Sequence, residues 1–483
     1  MRRKRIIGAV LIGLILSVGI FFLLPKEEEA IETKLETEDK ESPSSKRKVP
    51  LSELPGSKGN YKIDIQQAED LRFQITAEIE VINESKSVWE DIGFYFIPNA
   101  MNHGNTNYKM SLPGEAEIKS ITGETGNELS YTLEDTVLHV TPDKKLDPGE
   151  STTLTVKYML KPPNKGQRLA QVDNNFYLAL WYPMLGRYTD KWDLQHYHHI
   201  GEFYDTGFGD YDITYSLAKE YLVASSGEDK EIKPVKQGRV IAKDIKDFYI
   251  AFMDPSEWIS ETTMANDTEM RYFYPYDDPH SLHNIVVSGK KAFQFFEEHI
   301  GDNPTKELDI LVNNNGMEYP NIVEISNRNG QHENVLVHEI AHQWFYYMVS
   351  NDTYEESWLD ESLTTLLEAT YITMRYNGSS LGEQVGFRSA DIFAERIPQQ
   401  RFANIPVTQF AMEHGPVLYG KIPVILRDFF KEQGGHEKTI DFLSAYFNEF
   451  KYQYVDTEAF VEFFNEYHGE DHSAFFKEWL ILE

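Results

Sequence analysis

One stretch of the chain, 334-NVLVHEIAHQWFYYMV-349, constrains both the fold and the chemistry more than any other. It contains neither Gly nor Pro and opens on Asn334, a favourable N-cap residue, so it predicts a helix. On a helix, residues i and i+4 share a face, which places His338 and His342 side by side with Glu339 next to them. Two imidazoles on one helix face can bind one metal ion, and the alternative is a pair of interior histidines. The stretch therefore predicts a zinc site.

A zinc ion that catalyses hydrolysis needs a third protein ligand and an open position for water. The chain contains no cysteine, so this ligand must be a histidine or a carboxylate. Several carboxylates follow in 355-EESWLDESLTTLLEA-369, whose leucines give it the apolar face of a second helix. Glu361 would lie against the histidine pair if the two helices were antiparallel. The competing candidates are Glu355, Glu356 and Asp360.

Glu339 is the predicted general base. It lies beside both histidines without being a ligand, so it can take a proton from the attacking water and pass it to the leaving amine. The oxyanion that develops needs a further hydrogen-bond donor. Spacing alone does not choose this donor from the 28 tyrosines.

The N-terminal residues predict a membrane anchor. Residues 6–24 are apolar and uncharged, and as a helix they would span roughly 28 Å, close to the hydrocarbon thickness of a bilayer. Basic residues at positions 2–5 place the N-terminus in the cytoplasm and the rest of the chain outside. Residues 1–25 are thus predicted to form a single-pass cell-membrane anchor, and the charged, Ser- and Pro-rich residues 26–60 a disordered linker. A cleaved signal peptide is the alternative.

Two hydropathy patterns follow the linker. Residues 61–257 alternate apolar and polar positions in short runs between turn sequences, and they predict an all-β domain. Residues 258–483 show helical periodicity, with one strand at 307-ELDILV-312, and predict a mainly α-helical domain. The fold class is therefore α+β. The formal net charge of −32 argues against nucleic acid and anionic membrane surfaces as the main partner.

Four motifs, in order along the chain, resemble one known family. H-E-x-x-H followed by Glu361 is the signature of gluzincins of the aminopeptidase N family, whose metal-binding segments are similar to HEIAHQWF and WLDESLTTLLE. The stretch 315-NGMEYP-320 resembles the family's exopeptidase motif, and 418-LYGKIPVILRDF-429 resembles its tyrosine-bearing helix. The resemblance covers most of residues 61–483 and is weakest in the β region.

The resemblance implies a fold, a cofactor and a role for each site residue. The fold is a saddle-like β sandwich followed by a thermolysin-like catalytic domain, in a short, bacterial-type member without the large C-terminal helical domain. One Zn2+ ion is bound and peptides are the substrate. The implied roles are zinc ligation by His338, His342 and Glu361, general-base catalysis by Glu339, oxyanion stabilisation by Tyr419, binding of the substrate α-amine by Glu318, and backbone contacts to the peptide by Gly316 and Met317.

The predicted function is accordingly that of a zinc aminopeptidase that removes N-terminal residues from peptides. Two alternatives are an endopeptidase or processing protease with the same chemistry, and a catalytically silent peptide-binding protein. The oligomeric state, the natural substrate and the preferred first residue are left open.

Several residues depart from the family pattern. Tyr319 stands where many members have Asn, and Ser362 replaces the usual Gly after the third ligand. Ile422 stands in place of another Gly, and Pro423 lies within the tyrosine-bearing helix. Separately, 196-HYHH-199 either binds a second metal or forms a loop at the rim of the substrate cleft.

Overall fold

Strands dominate the first half of the chain and helices the last third, as the α+β prediction requires. The computed structural model describes residues 56–482 except 103–112, 166–167, 199–200, 230–231, 277–281, 314, 327–331 and 398–400. The strands are β1 (Ser57–Gln67), β2 (Phe73–Asn83), β3 (Ile92–Tyr95), β4 (Glu115–Thr122), β5 (Tyr131–Glu134), β6 (Val137–Val140), β7 (Ser151–Lys161), β8 (Leu169–Val172), β9 (Asn175–Leu178), β10 (Met184–Leu185), β11 (Arg187–Tyr188), β12 (Trp192–Asp193), β13 (Gly209–Ser225), β14 (Val235–Ile245), β15 (Ile250–Met253), β16 (Trp258–Ala265), β17 (Thr268–Pro275), β18 (Glu307–Val312), β19 (Ile322–Ile325), β20 (Val349–Ser350) and β21 (Gln453–Tyr454). The helices are α1 (Leu282–His299), α2 (His332–Ala341), α3 (Trp358–Arg375), α4 (Ser380–Gly386), α5 (Arg388–Ala394), α6 (Ile422–Gln433), α7 (His436–Phe450), α8 (Thr457–His468) and α9 (Ser473–Phe476).

The β region is built on a nine-stranded sheet with the order β4-β7-β2-β1-β13-β15-β9-β8, in which β14 also pairs with β13. The long strand β13 pairs with β1 through its first half and with β15 through its second half, with a register shift between, so the sheet curls. Alternate residues of β1 and β2 are buried, which is the period-2 pattern of a sheet with one face on the core. A smaller sheet, β10-β3-β6-β5, contributes to the same core. The predicted all-β region is confirmed.

The start of the predicted helical region contains a second sheet that the sequence analysis missed. The strands β16, β17, β18 and β19 form a four-stranded sheet, with β16–β17 antiparallel and the other two pairs parallel. Every residue of β18 and β19 is buried. Strands buried on both faces lose the alternating pattern, so their periodicity does not distinguish them from buried helix. The prediction of a single strand in this region is wrong, although β18 itself matches the predicted 307–312.

The helix that carries the histidines is shorter than predicted. It ends at Ala341 instead of extending to position 349, and Tyr346, beyond its end, has φ 126°. A residue with a Cβ rarely adopts this conformation, and hydropathy contains no sign of it. Asn334 lies in the first turn and is not the N-cap. Pro423 lies at the start of α6, where a proline is tolerated, directly after a π-helical turn over Pro416–Lys421.

The described residues from 56 onward belong to one compact unit whose buried side chains make a continuous core. The boundary between residues 257 and 258 therefore stays a prediction. The predicted anchor lies outside the described residues, as does the predicted linker up to residue 55, whereas β1 already begins at Ser57. Within the described ranges, no helix has both the length and the apolar character needed to cross a bilayer.

Candidate metal centre and substrate cleft

The predicted zinc ligands lie together where α2 and α3 meet. His338 is in the last turn of α2, and His342 follows its end with its N–H still bonded to the His338 carbonyl at 3.2 Å. Glu361 lies in the first turn of α3. The two Nε2 atoms are 3.1 Å apart, and Glu361 Oε2 is 3.2 Å from that of His338 and 3.3 Å from that of His342. Two imidazole nitrogens and one carboxylate oxygen that converge on one point fit Zn2+ with an open position.

Further contacts fix the orientation of both imidazoles. His342 Nδ1 donates to the Phe345 carbonyl at 2.9 Å, which leaves the Nε2 lone pair for a metal ion. His338 Nδ1 lies 3.3 Å from the carboxylate of Glu368, which also accepts a hydrogen bond from Asn334 at 2.9 Å. Such outer contacts select the tautomer and raise the basicity of the ligand. Glu368 lies two turns after Glu361 on the same helix, so helical periodicity could have identified it.

The competing third-ligand candidates lie elsewhere. Both carboxylate oxygens of Glu356 accept the backbone N–H of Thr457 at the start of α8, at 3.1 and 3.2 Å. Asp360 accepts the N–H of Glu361, and Glu355 lies near Asp352 instead of the histidines. Glu361 is thus the candidate that reaches the histidine pair.

The predicted general base faces the exopeptidase motif. Glu339 is buried, and its Oε1 is so close to Gly316 that a Cβ built there would be 3.0 Å from it. A side chain at position 316 would press on the base. Met317 exchanges both backbone hydrogen bonds with Glu324, at 3.1 and 2.8 Å. The backbone groups of Met317 are therefore already paired with Glu324. Successive residues of an extended segment direct their backbone groups to opposite sides, so the backbone groups of Gly316 and Glu318 face away from Glu324.

Glu318 lies beside a second acidic residue that sequence analysis missed. Its side chain is buried, at 7% exposure, and no described residue donates a hydrogen bond to its carboxylate. Burial raises the pKa of Glu318, and the strongest charged contributor is Glu202, from the segment between β12 and β13. Arg168 donates to Glu202 Oε1 at 2.6 Å and to the Gly201 carbonyl at 3.2 Å. No motif points to Glu202 or Arg168, because the topology of the β region alone brings them to the cleft.

Tyr419 contacts the third ligand directly. Its hydroxyl donates to Glu361 Oε1 at 2.5 Å, from the π-helical turn that precedes α6. Ser362, one of the departures from the family pattern, donates to the carbonyl of Leu418 at 2.7 Å and so ties α3 to that turn. Another departure, Tyr319, stacks on Tyr249 with ring centroids 4.6 Å apart.

The site concentrates negative charge among buried side chains. Burial alone would raise the pKa of Glu361, but its contacts with His338 and His342 hold that pKa well below the usual range. Burial raises the pKa of Glu318 and of Glu339, and neighbouring carboxylates add to both shifts. Carboxylates crowded in a low-dielectric cleft favour a cation strongly. A metal ion and the ammonium group of a substrate are both such cations.

The segment 196-HYHH-199 shows no second metal site in its described part. His196 Nδ1 is 3.8 Å from a carboxylate oxygen of Asp135, and Asp193 binds Arg187 at 2.7 Å. Across the described ranges, His338, His342 and Glu361 are the one group of three His or acidic side chains whose donor atoms lie within 4.8 Å of one another. His199 lies outside the described residues.

A histidine pair at the end of one helix, a glutamate in the first turn of the next helix and a curled β region are the features that the gluzincin resemblance implies. Residues 309–479 match the family model described as the peptidase family M1 domain. This match agrees with the resemblance to the aminopeptidase N family, which is confirmed for this part of the chain.

The curated relatives match a limited part of the chain. Leucine aminopeptidase 2 of Candida albicans is 27% identical over 181 residues, which are 32% of this chain and 28% of the relative. Aminopeptidase B of Rattus norvegicus is 28% identical over 144 residues, which are 28% of this chain and 22% of the relative. The chain thus spans less than a third of the length of these two relatives.

Solved structures match nearly the whole described chain. The M1 zinc metallopeptidase from Deinococcus radiodurans gives a TM-score of 0.62 at 14% identity and covers 89% of this chain and 95% of that chain. Leukotriene A4 hydrolase from Saccharomyces cerevisiae gives 0.61 at 16% identity, with coverage of 88% and 67%. At these identities the similarity establishes the fold, including the β region for which the sequence resemblance is weakest.

Proposed function

We propose that the protein is a zinc-dependent aminopeptidase that hydrolyses N-terminal residues from peptides. The observation that carries the proposal is the position of Glu318, a buried carboxylate without a hydrogen-bonded partner among the described residues, in the same cleft as the metal triad. A buried carboxylate needs a cationic partner, and the free α-amine of a peptide supplies one. The aminopeptidase names of the curated relatives support the same assignment. One solved structure of the Deinococcus protein contains the peptide Tyr-Ser-Ala as substrate, which supports peptides as ligands of this fold.

The residues of the cleft divide the work of hydrolysis. A zinc ion held by the triad supplies Lewis acidity and makes bound water more acidic. Glu339 takes a proton from the attacking water and delivers it to the leaving amine. Tyr419, whose hydroxyl is within hydrogen-bond distance of Glu361, turns to donate to the oxyanion as it forms.

Two carboxylates hold the substrate amine in this proposal. Glu318 binds the ammonium, and Glu202 adds negative charge from the β region. The hydrogen bond from Arg168 fixes the Glu202 carboxylate and partly neutralises it, so two acidic groups can share one cleft. An ammonium fixed at one end of the cleft places the first peptide bond, and no other, over the catalytic groups.

Comparison of free and N-acetylated peptides tests this proposal. The wild-type protein with zinc is expected to cleave free peptides one residue at a time and to leave acetylated copies intact, as mass spectrometry of a peptide library would show. Equal cleavage of both sets would establish the endopeptidase alternative. Binding of peptides without any cleavage would establish the silent one.

Glu318→Gln is expected to weaken the use of free peptides specifically. The amide keeps the size of the side chain but loses the charge, and a hydrogen bond to a charged group contributes about 1.5–3 kcal/mol, so kcat/KM should fall roughly 10- to 150-fold. Steady-state kinetics on dipeptide and tripeptide amides measure the change. Zinc content serves as the internal control, because Glu318 is not a ligand. An unchanged kcat/KM would exclude Glu318 as the amine-binding residue.

We further propose that the enzyme acts outside the cytoplasm, tethered to the cell membrane by residues 1–25. The support is the basic cluster at positions 2–5, the apolar residues 6–24 and the polar residues 26–60. The full chain is expected to sediment with membranes, and removal of residues 1–25 to release it. Protease added to intact cells should degrade the catalytic region. Protection from that protease would contradict the outward orientation.

A further inference from the structure

Tyr346 has an unfavourable backbone conformation right beside the metal triad. Its φ is 126°, in the region that favours glycine, and its side chain is 1% exposed. It lies four residues after His342, and the two rings lie 6.1 Å apart. A residue with a large side chain keeps such a conformation only where its surroundings hold it.

The conformation of Tyr346 determines where the preceding carbonyl points. Rotation about φ of Tyr346 turns the Phe345–Tyr346 peptide group. In the observed position the Phe345 oxygen accepts His342 Nδ1–H at 2.9 Å and the Thr364 hydroxyl at 3.3 Å. This bond directs the Nε2 lone pair of His342 toward Glu361 and His338. The Phe345–Tyr346 peptide group therefore links the unfavourable φ of Tyr346 to the orientation of the His342 imidazole.

Side chains of the β region hold Tyr346 in place. Its hydroxyl donates to Asp247 Oδ2 at 2.6 Å, and Tyr204 donates to the same oxygen at 3.0 Å. Lys246 is fully buried, with its Nζ 4.2 Å from the centre of the Tyr346 ring. Both Lys246 and Asp247 belong to the turn between β14 and β15, far from α2 in sequence.

We propose that Asp247 and Tyr346 form a latch that positions His342 for zinc, so that the β region completes the metal centre. Asp247 contacts no ligand and is a positioning residue. It acts through the Tyr346 hydroxyl, the backbone of Tyr346 and the Phe345 carbonyl, in that order. The inference rests on the proposed zinc site, but it concerns metal affinity and makes no assumption about the peptide.

Zinc affinity measured by competition with a chromophoric chelator tests the latch. Asp247→Asn and Tyr346→Phe each weaken or remove the central hydrogen bond with little change of shape. Since outer contacts of a metal site typically contribute 10- to 100-fold in affinity, the Kd for zinc is expected to rise about 10-fold or more in each variant. The Kd for zinc of the double variant should not exceed the higher Kd of the two single variants, because both changes break the same hydrogen bond.

A matched control and two backbone variants separate the latch from general packing. Tyr347→Phe changes the adjacent buried tyrosine, which interacts with Tyr452 instead, and should leave the Kd for zinc unchanged. Tyr346→Gly and Tyr346→Ala both remove the hydroxyl, but only alanine resists positive φ. The glycine variant is therefore expected to bind zinc more tightly than the alanine variant, although alanine is the better residue for ordinary stability.

The outcomes distinguish this inference from the proposed function. If wild-type protein binds no zinc, the proposed function fails. If wild type binds zinc and Asp247→Asn and Tyr346→Phe match its Kd, the latch alone is refuted. Equal affinities of the glycine and alanine variants would also refute it, since the backbone of Tyr346 would then have no influence on His342. Thermal unfolding of the zinc-free variants, recorded in parallel, shows whether a change in Kd is separate from a loss of fold.

Discussion

Replacing Glu339 with glutamine is expected to abolish most peptide hydrolysis while zinc stays bound. Glutamine matches glutamate in size, so the close approach to Gly316 is kept, but its amide does not accept a proton. Positioned proton transfer contributes about 10²- to 10⁴-fold to catalysis, and kcat should fall by that factor. The three ligands, His338, His342 and Glu361, are unchanged. Turnover of a peptide amide and metal content after dialysis, measured on the same preparation, check both halves of the expectation.

Glu333→Gln on the same helix is the matched control. Glu333 pairs with Arg375 at the surface, half-exposed and away from the triad, so its loss should leave both turnover and zinc content near the wild-type values. If Glu339→Gln retained turnover, Glu339 would not be the base. If the Glu339→Gln variant lost zinc together with activity, the loss of activity would be due to the missing metal and would not test Glu339 as the base.

The metal triad could be predicted from sequence because its geometry is local. His338 and His342 share a helix face by period alone, and Glu361 lies on the next helix. An antiparallel arrangement of the two helices favoured Glu361 over Glu355, Glu356 and Asp360, and the family resemblance supported the same choice. Glu368 was within reach of the same argument, since it lies two turns beyond Glu361 on α3, beneath His338.

The remaining parts of the site depend on contacts between distant segments. Glu202, Arg168 and Asp247 come from the β region, and their arrival at the cleft follows from the pairing order of a nine-stranded sheet. Periodicity reports which residues are buried but not which neighbours they meet. The early end of α2 coincides with such a contact, because Tyr346, just beyond the helix, hydrogen-bonds to Asp247 of the β region. Local propensity favours a longer helix, and a tertiary contact overrides it.

The strands also differ in whether the local sequence pattern could predict them. Half-exposed strands such as β2 follow a clear alternating pattern, and this pattern is what predicted the all-β region. The strands β17 and β19, covered on both faces, have no such pattern, and residues 258–275 were assigned to the helical region. Burial on both faces erases the signal that an exposed face supplies.

Replacing His342 with alanine is expected to remove zinc and, with it, all peptidase activity. His342 is 1% exposed and belongs to the one group of three potential metal ligands found among the described residues, so its removal leaves two ligands. The loss of affinity should exceed the roughly 10- to 100-fold that outer contacts contribute, because a ligand itself is removed. Metal content after dialysis against buffer gives the direct measurement.

Thermal unfolding gives a second measurement that is independent of activity. A ligand that binds only the folded state at about 1,000 times its Kd stabilises that state by about 4 kcal/mol, so zinc should raise the Tm of the wild-type protein. His342→Ala should show little or no such increase, whatever its Tm without metal. His283→Ala, which removes an exposed histidine from α1, should keep the full increase. A zinc-dependent rise in Tm of His342→Ala equal to that of wild type would mean that His342 is not a ligand, and the metal would then have to be held elsewhere in the chain.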